Sequence, residues 1–109
     1  MEYEIVITSR AQRDISAAAD YITFSLKNPI AADDLLNESE QAILSLSEMP
    51  YRFALPDDPI LASWGIRFVQ VKGYLAFYQI SEEIRQVTVV RFLHSKRDWN
   101  AILKHEGEV

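Results

Sequence analysis

The residues best suited to chemistry lie in the second half of the chain. Arg91, His94 and Arg97 stand three residues apart, Lys96 falls between the last two, and Arg67, Lys72, Tyr74 and Tyr78 precede them. An imidazole can take or give a proton near neutral pH, and guanidinium groups can stabilise developing negative charge on phosphate. A phenol can stack on a base or donate a hydrogen bond. Together they would suit metal-independent cleavage of RNA, in which a base activates the ribose 2′-hydroxyl, a cation stabilises the phosphorane and an acid protonates the leaving oxygen. His94 would be the acid or base, Arg67, Arg91 or Arg97 the charge stabiliser, and Tyr78 an aid to proton transfer. Lys72, Tyr74 and Lys96 would hold the target. No metal or cofactor is needed for such a step.

Each of these residues also has a plainer role open to it. His94 can be surface or core filler, and Arg91, set in an apolar strand, can be half of a structural ion pair. Lys96-Arg97-Asp98 can be a solvated turn before a helix, and Tyr74 and Tyr78 can be core residues with satisfied hydroxyls.

Composition narrows the classes. The chain has 109 residues, 49% of them hydrophobic, with three Gly and four Pro, as expected for one packed domain over residues 1–109. With no cysteine and only His94 and His105 as imidazoles, disulfides, thiolate metal sites and cysteine nucleophiles are excluded. The start, MEYEIVITSR, lacks the basic and apolar regions of a signal peptide, and no apolar run approaches the roughly 20 residues of a membrane span. A cytoplasmic protein without membrane association is expected. The net charge of −5 is uneven: residues 1–50 carry three basic and nine acidic side chains, whereas residues 66–97 carry six basic against Glu82 and Glu83. An anionic partner would therefore meet the second half, unless the acidic half is simply a solvated helical face.

The elements that must position these groups follow from periodicity. Residues Tyr3 to Ile7 alternate as a strand with one buried face. Thr8-Ser9-Arg10 supplies a cap, with Gln12 three residues beyond Ser9 as a capping box requires, and Ala11, Ile15, Ala18, Ile22 and Leu26 form one apolar helical stripe. Asn28-Pro29 ends that helix and opens a second, with Ala32, Leu35, Leu36, Ala42, Ile43, Leu46 and Met49 inward and Pro50 closing it. Residues 51–65 read as a loop. Three strand-like runs follow, Ile66 to Val71, Tyr74 to Ile80 and Gln86 to Leu93, with tight turns between them. Asp98 then caps a short helix from Trp99 to His105. The expected fold is α+β, in the order β-α-α-β-β-β: an antiparallel helical hairpin on one face of an antiparallel sheet, with a short C-terminal helix. The opposite sheet face is expected to be open and basic, with Tyr74 and Tyr78 able to lie on the exposed side.

The string VTVVRFLHSKRDW (Val87 to Trp99), together with GYLAFYQI (Gly73 to Ile80) and SRAQRDI (Ser9 to Ile15), resembles the RelE/ParE superfamily. The closing Arg91-Phe92-Leu93-His94-Ser95-Lys96-Arg97-Asp98 is the most specific part, and the likeness spans essentially the whole chain. It implies the toxin of a type II toxin–antitoxin, plasmid-stabilisation-type pair, inhibiting growth until a cognate antitoxin neutralises it. Relatives of one kind cleave mRNA on the ribosome, and relatives of another inhibit DNA gyrase with no nuclease site. A non-toxic antitoxin-binding module is a third reading. The pI near 4.9 departs from the basic character of the ribosome-dependent nucleases, and Trp99 is the only aromatic residue after the motif.

Overall fold

The computed structural model describes residues 2–107 of the chain. Strand β1 (Glu4–Ile7) leads into helix α1 (Ser9–Asp20), which continues as a π-helical turn over Tyr21–Ser25. Helix α2 (Pro29–Leu44) returns antiparallel, and short 3₁₀ turns at Ser45–Ser47 and Pro50–Arg52 end the helical half. A one-turn helix α3 (Pro59–Ser63) precedes strands β2 (Arg67–Val71), β3 (Tyr74–Ser81) and β4 (Gln86–His94), and helix α4 (Trp99–Gly107) follows.

The strand order is β1-β4-β3-β2. The meander β2-β3-β4 is antiparallel as expected, but β1 runs parallel to β4, so the sheet is mixed. The helical hairpin occupies the crossover between β1 and the meander, and such a crossover lets two strands run the same way.

Helix α1 begins one residue earlier than the capping-box pattern implies. Thr8, not Ser9, is the N-cap, its Oγ1 accepting the Ala11 N–H at 3.0 Å and donating to the Val90 carbonyl at 3.2 Å. Thr8 stands where β1 ends, so its extended backbone suits the cap. The π turn is marked by the Leu26 N–H bonding five residues back to the Tyr21 carbonyl. It leaves Ile22 packed against the core but turns Leu26 outward, which breaks the expected stripe at its last member.

The hairpin covers one face of the sheet. Ala11, Ala18, Leu35, Ile43 and Leu46 pack on Val69, Val71, Ala76, Tyr78, Val87, Val89 and Phe92. The other face is not open. Leu61 of α3 and Leu103 of α4, with Ile66, Trp64, Trp99 and Ile102, build a second core on Leu75, Phe77 and Leu93. That face carries large apolar residues, and burial at about 25 cal/mol per Å² favours covering them. Part of the expected loop therefore folds as α3. Asp58 caps it by accepting the Ile60 and Leu61 N–H groups and forms an ion pair with Lys104 of α4.

A bulge in β4 interrupts the regular alternation of its faces. Phe77 pairs with Arg91 and Tyr78 with Val89, leaving Val90 without a partner. The extra residue flips the faces beyond it: Phe92 joins Val87 and Val89 under the hairpin, and Leu93 joins Val90 in the second core.

Candidate functional site

The end of β4 meets the turn between β2 and β3. The Ser95 N–H donates to the Gly73 carbonyl at 2.9 Å and the Arg97 N–H to the His94 carbonyl at 3.0 Å, so the segments 72–74 and 94–97 form one edge. Lys72 is held there with a left-handed φ of +55° in a two-residue loop. Five of the eight residues that the sequence singles out gather at this edge: Lys72, Tyr74, His94, Lys96 and Arg97.

Three of them, Tyr74, His94 and Arg97, line a cleft of about 480 Å³ with Tyr21 and Phe92, and Asp14, Ala17 and Ala18 of α1 run along one side. Tyr74 stacks on Phe92 with ring centres 5.2 Å apart, and His94 meets the edge of Tyr74 at 5.0 Å. Burial, and then the neighbouring Tyr21 phenol, push the Tyr74 phenol above its ordinary value, so it keeps its proton at neutral pH. The His94 Nδ1 accepts the Lys96 N–H at 3.1 Å, which leaves the ring proton of the neutral imidazole on Nε2. Nε2 lies beside Gly73, where an added Cβ would stand 3.5 Å from it.

The other three candidates lie elsewhere, and each is occupied. Tyr78 is fully buried under the hairpin, its hydroxyl donating to the Pro50 carbonyl at 2.6 Å. Burial pushes its phenol up to about 12. Arg67 donates to the Phe53 carbonyl at 2.6 Å and sits over the Tyr51 ring, tying β2 to the 50–53 turn. Arg91 is 5% exposed and held by Asp14, through Nε at 2.6 Å and Nη2 at 3.0 Å. Its Nη1 pairs by charge with Glu106 of α4 at 2.9 Å, without an aligned hydrogen bond. The Asp14 hydrogen bond, and then Glu106, hold its guanidinium even more firmly protonated than usual. Of the two roles open to Arg91, the structure displays the ion pair.

Two residues at the cleft carry no mark in the sequence. Asp14 lies beside the apolar stripe of α1, and an unpaired arginine inside a strand is the signal that a carboxylate is needed. Tyr21 reaches the cleft from the start of the π turn, a geometry that apolar spacing does not announce. The cleft as built offers aromatic surface and an imidazole, with exposed cations at its edge, which suits binding more directly than proton transfer.

The sequence profile of the family described as the ParE toxin of the type II toxin–antitoxin system, parDE, matches residues 5–99. The chain is similar in fold to a structure of the chromosomal ParDE toxin–antitoxin system of P. aeruginosa. The TM-score is 0.68 at 15% identity, over 85% of this chain and 96% of that one. It is also similar to a chain of the toxin–antitoxin complex RelBE2 of Mycobacterium tuberculosis. There the TM-score is 0.60 at 24% identity, over 86% of this chain and 99% of that one. No curated protein matches the sequence significantly. Among the described residues no helix is long and apolar enough to cross a membrane.

Proposed function

The chain belongs to the family of ParE toxins of type II toxin–antitoxin systems, and we propose that it acts by docking on a protein target, DNA gyrase, rather than by cutting RNA. The observation that carries this reading is the commitment of three of the groups on which cleavage would draw. Arg67, Tyr78 and Arg91 are each bound to an internal oxygen. A transition-state stabiliser must be free to follow charge as it develops, and these groups are not. The second face of the sheet, where an open basic surface was expected, is covered by α3 and α4. A cognate antitoxin is the partner that would silence the protein, and the cytoplasm is where both partners would meet it.

Purified protein added to gyrase and relaxed plasmid tests this reading. Supercoiling should stop, while transcripts on added ribosomes stay uncut. The second reading, a ribosome-dependent mRNA endonuclease, draws on Tyr74, His94 and Arg97 sharing one cleft. It expects transcripts to be cut and protein synthesis to halt within minutes of induction, with supercoiling intact and His94→Ala harmless. That outcome would displace the docking reading. Expression without harm to the host would leave only an antitoxin-binding module.

A further inference from the structure

The cleft has two unlike borders. On one side stands Tyr21, 55% exposed, and the hairpin tip that carries it also exposes Phe24 by 72% and Ile30 by 74%. Monomeric proteins seldom group large apolar side chains on the surface in this way unless something covers them. The π turn that places Tyr21 and Phe24 is itself a device found often at functional positions. On the other side stand Lys72, Lys96 and Arg97, all exposed. None of the three is paired with a carboxylate among the described residues. By contrast Arg67, Arg85, Arg91 and Lys104 are each bound to an internal oxygen. In a chain of net charge −5 with 16 acidic residues, three neighbouring unpaired cations are a local reversal of sign. Asp14, along the cleft, holds Arg91, and Asp98, next to Arg97 in sequence, accepts the Ala101 N–H.

We infer that the cleft between Tyr21 and His94 seats an acidic protein segment: a large apolar side chain enters between Tyr21, Tyr74 and His94, and flanking carboxylates meet Arg97, Lys96 and Lys72. Charge complementarity selects this occupant. A long polyanion such as RNA would meet the acidic remainder of the chain, whereas a short acidic segment meets only the reversed patch. Ala17 and Ala18 leave the room, since longer side chains there would fill the space beside Tyr74. Arginine and tyrosine in such a setting commonly dominate binding energy. The inference rests on the docking reading and adds to it the surface and the chemistry of the segment recognised.

The probe is purified gyrase, with inhibition of supercoiling as the readout, at low and at higher salt. Arg97→Glu and Tyr21→Ala should each raise the half-inhibitory concentration about tenfold, the loss of one strong interface contact. Arg97→Glu should also flatten the salt dependence, because it removes a screened attraction. Ile84→Ala, in the β3–β4 turn at the other end of the sheet, should change nothing. If Tyr21→Ala does not fold, Arg97→Gln and Lys72→Gln touch no core residue and keep the test in force. If the unaltered chain inhibits gyrase and the folded variants inhibit equally, the cleft assignment is overturned while the docking reading stands. If the unaltered chain does not inhibit, both are overturned. In that case, binding of single-stranded RNA that the same variants lose would reassign the cleft to RNA.

Discussion

Asp14 of α1 and Arg91 of β4, 77 residues apart in sequence, form a two-pronged ion pair, and the same carboxylate accepts the Phe92 N–H at 3.0 Å. Strand β1 ends its pairing at Ile7 opposite Val89, so β4 runs on past its neighbour with bare backbone. Asp14 fills that gap. It fastens the hairpin to the sheet, while Glu106 approaches the same guanidinium from α4 at 2.9 Å.

Asp14→Ala leaves a buried guanidinium and a strand N–H without their acceptor. Removing one partner of such a pair costs about 3–5 kcal/mol, a large share of the about 5–15 kcal/mol that holds a native domain together. Urea unfolding should show the loss. Asp14→Leu combined with Arg91→Met should recover much of it, because no charge is then stranded. A single variant within about 1 kcal/mol of the parent would mean that the pair is solvated in solution.

Thr8 and Ser9 separate two accounts of how α1 starts. Thr8→Ala should destabilise by about 1 kcal/mol or somewhat more, the usual cost of a lost N-cap, since the bond to the Val90 carbonyl goes too. Ser9→Ala should leave thermal stability nearly unchanged. The reverse ranking would restore the capping box that the sequence pattern offers.

Tyr78 gives an alkaline signature. Its folded-state value of about 12 lies above the ordinary 10, so folding favours the protonated phenol. That contribution is complete below pH 10 and is lost as the pH rises from 10 to about 12. Phenolate absorbance should show a tyrosine that ionises late, and Tyr78→Phe should remove part of the stability loss over that window. At neutral pH the same variant should cost about 1 kcal/mol for the Pro50 hydrogen bond, with toxicity retained. Loss of toxicity in a folded Tyr78→Phe protein would argue for a chemical role.

Asp58 predicts acid behaviour. The Lys104 bond, helped by the Leu61 and Ile60 N–H groups, holds its carboxyl below the usual range. Its contribution is present above the ordinary carboxylate value and is lost as the pH falls through the lowered one. Asp58→Asn should lower the melting temperature at pH 7 and weaken its fall on acidification. Amide exchange should quicken in α4, which Lys104 anchors. An unchanged acid profile would remove Asp58 from the forces holding the second core.

The α+β class, the order of the main elements, the hairpin, the meander and the closing helix could all be read from the residues alone. Period-3.6 stripes, period-2 runs and Pro or Gly stops are local patterns set by local sterics. Charge asymmetry likewise located the cationic half, and the dual character of Arg91 was visible as a cation inside an apolar strand. Three features needed the assembled molecule. The bulge at Val90 shifts which side chains share a face, and nothing in Val87 to Leu93 announces it because both faces are apolar. The second core depends on α3 and α4 reaching one sheet face from segments about 40 residues apart, a matter of tertiary packing rather than periodicity. The candidate site was divided in the same way. Arginines and tyrosines of the same kind became part of a cleft at Tyr74 and Arg97, and internal fastenings at Arg67, Tyr78 and Arg91, because a side chain's freedom is decided by partners distant in sequence.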